Sequence, residues 1–361
     1  MEKVVTGRSF WSGRRVLITG HTGFKGSWLS LMLSSLGAEV QGYALPPEGG
    51  NCLFNLAEVE RDVRHEIGDV RNAEAVTALV VRSRPQVVFH LAAQPLVRAS
   101  YLDPVTTYAT NIMGTAHLLD AVRRTEDVRA VIIVTSDKCY ENTGSLWGYR
   151  ETDSMGGRDP YSSSKGCAEL IAKAYRQSFF QQRNAARIAT ARSGNVIGGG
   201  DWSSDRLIPD AIRAFLAHQA LKVRNPDSVR PWQHVLDPLA GYIALAERLA
   251  TQGDAAEAWN FGPLPGSELS VRAIADRLVG LWGENANWQH ETSDGPTEAA
   301  VLRLDCTKAF LHLGWRPQID IDEALELTVA WYRAVAAKAD MRALTLSQIS
   351  TAFERAGRNS H

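Results

Sequence analysis

The chain has 361 residues, of which 45% are hydrophobic and 22% are charged, a composition typical of a soluble globular protein. Its 39 Lys and Arg residues nearly balance 40 Asp and Glu residues, which excludes a broad basic surface for nucleic acid or acidic membranes. The four cysteines have no paired spacing, and no apolar run approaches the roughly 20 residues that span a bilayer. Since the N-terminus also lacks the apolar core of a secretory signal, we expect a cytoplasmic protein without metal site, disulfide or membrane segment.

A strand, a glycine-rich turn and a helix form the first motif. Val16–Thr19 is an apolar run, glycines follow at a spacing of three, and an apolar helix pattern runs from Trp28 to Leu36. This order is typical of a dinucleotide-binding turn, in which the glycines allow the sharp turn, the approach of a pyrophosphate and close helix packing. The predicted cofactor-binding residues are Gly20, His21, Thr22, Gly23, Phe24, Lys25 and Gly26. The alternative is a tight turn that binds nothing.

The second and third predicted strands bear on the choice of cofactor. Residues 39–44 form the second strand, and no Asp, Glu or Arg stands at 43–47 to select NAD or NADP. Residues 66–69 form the third strand. Its Asp69 is placed either to contact an adenine or to cap a helix over 71–82.

The following segments complete an alternation of strands and helices. Strands are predicted at 86–93, where small residues end the strand, and at 130–136. Helical patterns cover 105–124, with Asn111 inside, and 162–180. This alternation predicts an α/β fold with a Rossmann-type, doubly wound parallel sheet. Because active sites form at the carboxyl ends of such strands, we expect Gly20, Ala92 and Ser136 to converge on one cleft.

From about residue 196 the pattern changes to loop-rich sequence. Gly198–Trp202 and Arg230–His234 carry glycines or a proline and are predicted to be loops. We therefore predict a cofactor-binding domain over 1–195, with returning segments at about 234–262 and 321–345, and a smaller substrate-binding lobe over 196–233 and 263–320. Further helices are predicted at 236–250, 270–282 and 321–337.

Five residues are candidates for catalysis. Tyr161 and Lys165 lie one helical turn apart, and we expect the ammonium to lower the pKa of the phenol so that it can accept a hydroxyl proton. Ser136 can donate a hydrogen bond to the reacting oxygen, and an acid and a base follow directly at Asp137 and Lys138. The alternative for the last two is a solvated ion pair that ends the strand.

Six stretches resemble those of a known family. They are Thr19–Trp28, Leu91–Arg98, Thr135–Tyr140, Arg192–Trp202, Arg206–Asp210 and Arg230–Leu236. With them, most of the chain from Gly13 to about Trp331 is similar to the nucleotide-sugar 4,6-dehydratases of the extended short-chain dehydrogenase/reductase family. The Asp137–Lys138 pair resembles the CDP-glucose branch, since related dehydratases usually carry Asp-Glu there. Ser136 replaces the usual threonine, so either Thr135 or Ser136 faces the substrate.

The resemblance implies an NAD-dependent lyase that dehydrates CDP-glucose for deoxysugar and O-antigen synthesis. Asp137 would be the acid, and Lys138 the base or a group that positions it, provided that burial or Lys165 lowers the pKa of Lys138. Further cofactor contacts would come from Asp69, Val70, Leu91, Ala92, Ala93, Asn111, Tyr161 and Lys165. Substrate contacts would come from Gln94, Arg98, Arg192, Asn195, Arg206, Arg230 and Trp232.

Several of these residues have structural alternatives. Each of the three arginines at 192, 206 and 230 suits a diphosphate but equally suits a surface ion pair. Trp232 suits the core, and Asn111 suits a solvent-facing helix position.

The resemblance also implies association of the helices 105–124 and 162–180 between subunits, in a homodimer or a homotetramer. Two other functions remain open on the sequence. A nucleotide-sugar 4-epimerase would not need Asp137–Lys138, and a non-catalytic NAD-responsive sensor would tolerate the loss of Tyr161.

Overall fold

The structure, a computed structural model, describes residues 7–182, 185–263, 268–283, 285–291 and 301–358. Twelve strands lie in these segments: β1 (Arg15–Thr19), β2 (Glu39–Ala44), β3 (Val63–Ile67), β4 (Val87–His90), β5 (Ala130–Val134), β6 (Arg187–Ser193), β7 (Asn195–Ile197), β8 (Leu221–Val223), β9 (Val229–His234), β10 (Ala258–Phe261), β11 (Glu268–Ser270) and β12 (Trp288–His290).

Fourteen α-helices lie in the same segments: α1 (Arg8–Trp11), α2 (Phe24–Ser35), α3 (Leu53–Leu56), α4 (Ala73–Ser83), α5 (Val97–Leu102), α6 (Pro104–Tyr108), α7 (Gly114–Val122), α8 (Pro160–Phe179), α9 (Leu207–Leu216), α10 (Leu236–Thr251), α11 (Val271–Trp282), α12 (Thr307–Leu313), α13 (Ile321–Ala336) and α14 (Met341–Arg358). A π-helical turn, Ala109–Met113, joins α6 to α7, and a 3₁₀ turn, Asp137–Cys139, follows β5.

Seven parallel strands form the main sheet in the order β10-β6-β5-β4-β1-β2-β3. Chain order reverses between β1 and β4, and this reversal opens a crevice at the carboxyl ends of the strands. The predicted doubly wound α/β fold is therefore confirmed, and β1, β4 and β5 are its central strands.

Alternate residues of the central strands enter two cores on opposite faces of the sheet. Val16 and Ile18 of β1 pack with α2 and α10, whereas Leu17 between them packs with α4, α7 and α8. Because helices cover both faces, β4 and β5 are buried along their whole length. This burial explains their continuous apolar sequences.

The second region is built on two small sheets. One has the strand order β11-β9-β7, and the other pairs β12 with β8. Ile208 of α9, Trp232 of β9 and Trp282 of α11 belong to the same apolar cluster as Val16. The region therefore packs directly on the main sheet. Part of the predicted lobe, residues 264–267, 284 and 292–300, lies outside the described residues.

Some predicted elements were wrong. Residues 230–234, predicted to be a loop, form most of β9, with Pro231 paired to Glu268 of β11. The single helix predicted over 105–124 is α6, the π-helical turn and α7. Strands β6 and β10 were not predicted at all.

No helix in the described segments is long and apolar enough to cross a bilayer. Nor do three or more His, Cys, Asp or Glu side chains among those residues converge as metal ligands.

Candidate active site

The turn between β1 and α2 requires glycine at two positions. Gly20 has φ +78°, and a Cβ there would lie 2.6 Å from the backbone nitrogen of Ala92. A Cβ on Gly26 would lie 2.1 Å from the carbonyl oxygen of Gly20. Gly23 is the N-cap of α2 and provides no side-chain cap. The turn therefore presents uncapped N–H groups at a helix N-terminus, the arrangement that binds phosphate.

Two side chains of this turn point in different directions. His21 is fully buried below β2, with Nε2 2.6 Å from Nδ1 of His65, and burial lowers its pKa to about 4. Lys25 enters the cleft, where Nζ donates to Oγ of Ser193 at 2.7 Å. The ring of Phe24 packs at Gly198, and Thr22 Oγ1 donates to the carbonyl of Leu45 at 2.9 Å.

Burial lowers the pKa of Lys25 to about 7, and the nearby cations Arg206 and Lys165 act in the same direction, whereas Asp137 and Asp201 oppose the shift. The N-terminal turn thus contributes a buried amine to the same cleft as Asp137. The sequence prediction assigned Lys25 to the cofactor without predicting this placement.

Thr135 and Ser136 face opposite sides of the end of β5. Thr135 Oγ1 donates to Oε1 of the buried Glu169 at 2.5 Å. The hydroxyl of Ser136 lies beside the Tyr161 phenol and donates to Oδ1 of Asp137 at 2.9 Å. Ser136 is therefore the residue that faces the cleft.

Asp137 is a buried carboxyl with one free oxygen. Its side chain is 2% exposed, and Oδ2 has no hydrogen-bond partner among the described residues. Burial raises its pKa, while Lys138, Ser136 and Arg230 act against the shift. A raised pKa favours the protonated form of a carboxyl, which is the form that a general acid needs.

Tyr161 lies in the first turn of α8, which Asp159 caps by accepting from the Ser162 N–H at 2.9 Å. Burial raises the pKa of Tyr161 to about 12, and the Ser136 hydroxyl and the charge of Arg206 act against this shift. The expectation of a lowered phenol pKa is wrong, because loss of hydration outweighs the effect of the nearby positive charge.

The two candidate lysines of the β5–α8 region differ in burial. Lys165 is 6% exposed, and its Nζ donates to the carbonyl of Val134 at 3.3 Å. Burial lowers the pKa of Lys165 to about 8, with Glu169 and Cys139 opposing the shift. Lys138 is only half-buried. Burial was one condition for the predicted action of Lys138 as a base. The lysines that the cleft buries are instead Lys165 and Lys25.

At the opposite end of the crevice, Asp69 follows β3. Its carboxylate pairs with Arg71 at 2.6 Å, while the cap of α4 is Asn72, whose side chain accepts from the Ala75 N–H. The capping alternative for Asp69 is wrong. Val70 is buried against Gly114.

The loop after β4 is fixed by a buried amide. Asn111 is 2% exposed, so the solvent-facing alternative is wrong. Its Oδ1 accepts from the Gln94 N–H at 2.8 Å, and its Nδ2 donates to the Gln94 carbonyl at 3.0 Å and to Oγ of Ser164 at 2.8 Å. Asn111 therefore ties the Leu91–Gln94 loop to α8.

Two predicted substrate residues are structural. Arg192 is 2% exposed, and Nη2 pairs with Glu169 at 2.7 Å beneath the sheet end. A guanidinium so enclosed and paired cannot clamp a diphosphate. Trp232 belongs to the apolar core, and its Nε1 donates to the Leu269 carbonyl at 3.0 Å. The prediction of both as pocket residues is wrong.

The other predicted substrate residues surround the cleft. Arg206 at the start of α9 pairs with Asp201 at 3.2 Å and acts electrostatically on Tyr161. Arg230 is buried on β9 and acts on Asp137. Arg98 of α5 pairs with Asp205 at 2.9 Å and thus links the main sheet's helices to the second region.

Gln94 and Asn195 also lie in this part of the molecule. The Gln94 side chain donates to Oγ1 of Thr107 on α6 and accepts from the Leu96 N–H of its own loop. Asn195 is half-buried at the start of β7.

Sequence reasoning missed three polar side chains around the site. Ser193 bridges Lys25 to the hydroxyl of Tyr242 at 2.7 Å, and Glu169 lies behind the end of β5. Glu169 had a sequence signal, since it follows Lys165 by four residues on one helical face. Ser193 and Tyr242 had none, because only the fold brings them to Lys25.

Comparisons with known proteins place this geometry in a family context. Residues 17–328 match the family model of GDP-mannose 4,6 dehydratase. The CDP-glucose 4,6-dehydratase of Salmonella typhimurium is 49% identical over 348 residues, which cover 95% of this chain and 97% of that protein. The dTDP-glucose 4,6-dehydratase of Streptomyces griseus is 30% identical over 88% of this chain and 93% of that protein.

Solved structures show the same fold. The dTDP-glucose 4,6-dehydratase of Streptomyces venezuelae, crystallised with NAD, superposes with a TM-score of 0.77 at 25% identity over 90% of this chain and 98% of that one. The UDP-glucose 4-epimerase of Thermotoga maritima superposes with a TM-score of 0.78 at 23% identity over 89% and 99%. Dehydratases and epimerases thus share this architecture, and the side chains in the cleft must distinguish them.

Proposed function

The chain belongs to the GDP-mannose 4,6 dehydratase family of nucleotide-sugar dehydratases, and we propose from this premise that it is an NAD-dependent CDP-glucose 4,6-dehydratase. Its product would be CDP-4-dehydro-6-deoxy-D-glucose, and water would be released. The observation that carries the proposal is the buried Asp137, whose Oδ1 accepts from the Ser136 hydroxyl beside Tyr161 and whose Oδ2 has no hydrogen-bond partner among the described residues. An enzyme that only oxidises and reduces C4 needs no such acid, whereas a dehydratase must protonate a leaving hydroxyl.

The glycine-rich turn fits the cofactor. Gly20 and Gly26 keep the approach to the N-terminus of α2 free of side chains, and that helix end has no side-chain cap. The pyrophosphate of NAD would bind there, with Asp69 and Val70 near the adenine, and with Lys165 near the nicotinamide ribose. When bound, NAD supplies the oxidant that accepts hydride from C4 and gives it back to C6.

Tyr161, Ser136 and Lys165 would carry the redox half of the reaction. The Tyr161 phenolate accepts the proton of the 4-hydroxyl group as hydride leaves C4, and Ser136 donates a hydrogen bond to the same oxygen. Because burial raises the pKa of Tyr161 to about 12, ionisation of the phenol depends on positive charge nearby. Arg206 provides part of that charge.

Asp137 and Lys138 would carry the elimination. The 4-ketone acidifies the C5–H bond, so a base removes that proton while Asp137 protonates the departing 6-hydroxyl group and water leaves. Lys138 is either this base or the group that positions it. A proton then returns to C5.

The substrate diphosphate would be held by Arg206 and Arg230, with Arg98 at the edge of the cleft. Guanidinium groups suit phosphate oxygens because their N–H donors form a planar fork. Gln94 and Asn195 are proposed to line the sugar pocket. Selection of cytidine is supported by the relationship to the Salmonella protein alone.

A substrate panel tests this function. Purified protein with NAD is incubated separately with CDP-, dTDP-, UDP- and GDP-glucose, and products are analysed by mass spectrometry. We expect loss of one water from CDP-glucose at a kcat/KM well above those of the other sugars. An isomer of unchanged mass would instead identify a 4-epimerase, and no reaction with any sugar would favour an NAD-responsive sensor.

We further propose a cytoplasmic homodimer that serves deoxysugar and O-antigen synthesis. The support for the dimer is a set of exposed apolar side chains on α5, α6, the π-helical turn and α8, namely Leu102, Val105, Met113, Leu170 and Phe179. A tetramer would need a second contact surface on each subunit.

A further inference from the structure

A buried carboxylate lies directly behind the catalytic end of β5. Glu169 is 4% exposed and stands one turn after Lys165 on the inward face of α8. The mechanism derived above does not use it.

Both oxygens of Glu169 are fully engaged. Oε1 accepts from Thr135 Oγ1 at 2.5 Å, and Oε2 accepts from Thr190 Oγ1 and from Nη2 of Arg192, each at 2.7 Å. These contacts join α8 to β5 and β6. An ionised buried carboxylate is stable only with such partners, and the Arg192 charge and these hydrogen bonds lower the pKa of Glu169 despite its burial.

Arg192 extends the network to a third strand. Its Nη1 donates to the hydroxyl oxygen of Tyr140 at 2.7 Å, and the Tyr140 hydroxyl donates to Oδ1 of Asn260 on β10 at 2.7 Å. The Asn260 amide in turn donates to the Tyr149 carbonyl at 2.8 Å. Glu169 is therefore held rigidly from the side opposite the cleft.

Helix α8 forms hydrogen bonds with two consecutive residues at the end of β5. Lys165 donates to the carbonyl of Val134 at 3.3 Å, and Glu169 accepts from the hydroxyl of Thr135 at 2.5 Å. Ser136 and Asp137 follow immediately. The same helix carries Tyr161 in its first turn, so these two contacts set the distance between the phenol and the Ser136–Asp137 segment.

We propose that Glu169 is a positioning residue of the reaction, which fixes Ser136 and Asp137 against Tyr161 and holds a negative charge one turn from Lys165. This inference rests on the proposed function. Glu169 touches neither substrate nor cofactor in this account and acts through Thr135 and Lys165.

The charge of Glu169 has a consequence for pH dependence. The groups that act on or respond to Lys165 are Glu169 on its own helix, Cys139 after β5, Lys25 of α2 and His90 of β4. Among them Glu169 is the carboxylate, and it opposes the effect of burial on the pKa of Lys165. Without this charge, Lys165 should lose its proton at lower pH.

The test is Glu169→Gln, which preserves side-chain shape and an acceptor for Thr135 but removes the charge. We expect kcat for CDP-glucose to fall about 10- to 100-fold, the scale expected for misplaced catalytic groups, with KM nearly unchanged. The alkaline limb of the kcat–pH profile should move to lower pH. A folded variant with wild-type kcat and wild-type pH profile would overturn the proposal.

Two further variants keep the test decisive. Glu169→Gln combined with Arg192→Met avoids an unpaired buried cation and should show the same displaced alkaline limb if the single variant does not fold. Asp62→Asn is the matched control, because it breaks a half-buried ion pair with Arg342 at 2.7 Å that lies between the β3 region and α14. It should reduce stability without moving the pH profile.

Cofactor binding provides a readout that is independent of turnover. Wild type and Glu169→Gln are titrated with NAD by calorimetry between pH 6 and about 10. As the pH is raised, the affinity of the variant for NAD should begin to fall at a lower pH than that of wild type, because Lys165 would bind the ribose as an ammonium. Identical pH dependence in both proteins would contradict the role of Glu169. If wild type binds NAD but does not turn over CDP-glucose, the proposed function fails while this comparison still tests Glu169.

Discussion

At the scale of single residues, desolvation determines the charges in the cleft. Burial lowers the pKa of Lys25 to about 7 and that of Lys165 to about 8, while it raises the pKa of Asp137. The cleft therefore contains two amines whose pKa lies near neutrality and a carboxyl whose protonated form is favoured by burial. Acid–base chemistry at neutral pH depends on such shifts.

Lys138→Met tests the residue beside the acid. We expect loss of dehydration by about 100-fold or more, with oxidation at C4 retained, if Lys138 removes or positions removal of the C5 proton. The measurement is single-turnover reduction of NAD by absorbance, combined with product mass. Unimpaired dehydration would remove Lys138 from the mechanism, and Lys173→Met, on α8 outside the site, serves as the control.

Lys25→Met tests the buried amine through stability. The pKa of Lys25 is about 7 in the folded protein against 10.5 as its ordinary value, so the unfolded chain binds more protons between these limits. The free energy of unfolding of the wild type should therefore rise with pH in this window, by at most about 1.4 kcal/mol per pH unit from this group. Below about pH 7 Lys25 is charged in the folded protein, so its burial lowers the free energy of unfolding by the full amount.

Chemical denaturation at pH 7 and pH 9 measures this effect. The free energy of unfolding of the variant minus that of wild type should be larger at pH 7 than at pH 9. The reason is that the wild type becomes more stable as Lys25 loses its proton. Lys222→Met, whose side chain is 61% exposed, should show the same difference at both pH values. A pH-independent difference for Lys25→Met would show that Lys25 carries no shifted pKa.

At the scale of elements, the β1–α2 turn depends on two glycines for different reasons. In Gly26→Ala the added Cβ would lie 2.1 Å from the Gly20 carbonyl, so the helix must move away from the strand. We expect destabilisation of about 1–3 kcal/mol and loss of NAD binding. In Gly23→Ala the nearest atom is at 3.4 Å, so the fold should be retained while NAD binding weakens. Denaturation and calorimetry distinguish these outcomes, and equal stability of the two variants would contradict the packing argument.

The elements differ in how well their sequences predict them. Strands β1, β4 and β5 are mostly apolar runs between turns, so their positions followed from the sequence. Strand β2 has Val40 between the polar residues Glu39 and Gln41, and its position followed from the helix and the turn on either side of it. Strand β6 carries Thr190 and Arg192, whose polar groups both bond to Glu169 of a helix about 20 residues earlier in the chain. Its sequence therefore lacks an apolar pattern. Because the pairing of Arg192 with Glu169 cannot be seen in the sequence, Arg192 was predicted to bind phosphate.

The candidate catalytic residues were easier to predict than their environment. Tyr161 with Lys165 and Ser136 with Asp137 have local spacing that a sequence shows. By contrast, the direction of a pKa shift depends on burial, which tertiary packing decides, so the raised pKa of Tyr161 was not predictable. Strand β9 was missed because Pro231 and Trp232 suggested a loop, whereas pairing with β7 and β11 stabilises an extended chain there.

At the scale of the whole molecule, the exposed apolar face of α5, α6 and α8 predicts self-association. Leu170 is 55% exposed on α8, beside α6. Leu170→Glu should shift sedimentation from dimer to monomer, because a charge would be buried at the contact. Leu311→Glu, at a position that is 58% exposed on α12, should leave the association unchanged. A monomeric wild type would contradict this prediction.

The whole molecule also explains how one cleft can serve two half-reactions. The main sheet brings the glycine turn, the end of β5 and α8 together, while β9 and α9 bring Arg230 and Arg206 to the opposite side. Oxidation at C4 and elimination at C5–C6 would then occur in one place, without release of the cofactor between them.

The fate of the hydride from C4 tests this account most directly. CDP-glucose carrying deuterium at C4 is incubated with the protein and NAD in ordinary water, and the product is examined by mass spectrometry and NMR. We predict loss of one water, the deuterium in the C6 methyl group and a solvent hydrogen at C5. Deuterium retained at C4 in a product of unchanged mass, or an unchanged substrate, would contradict the dehydratase.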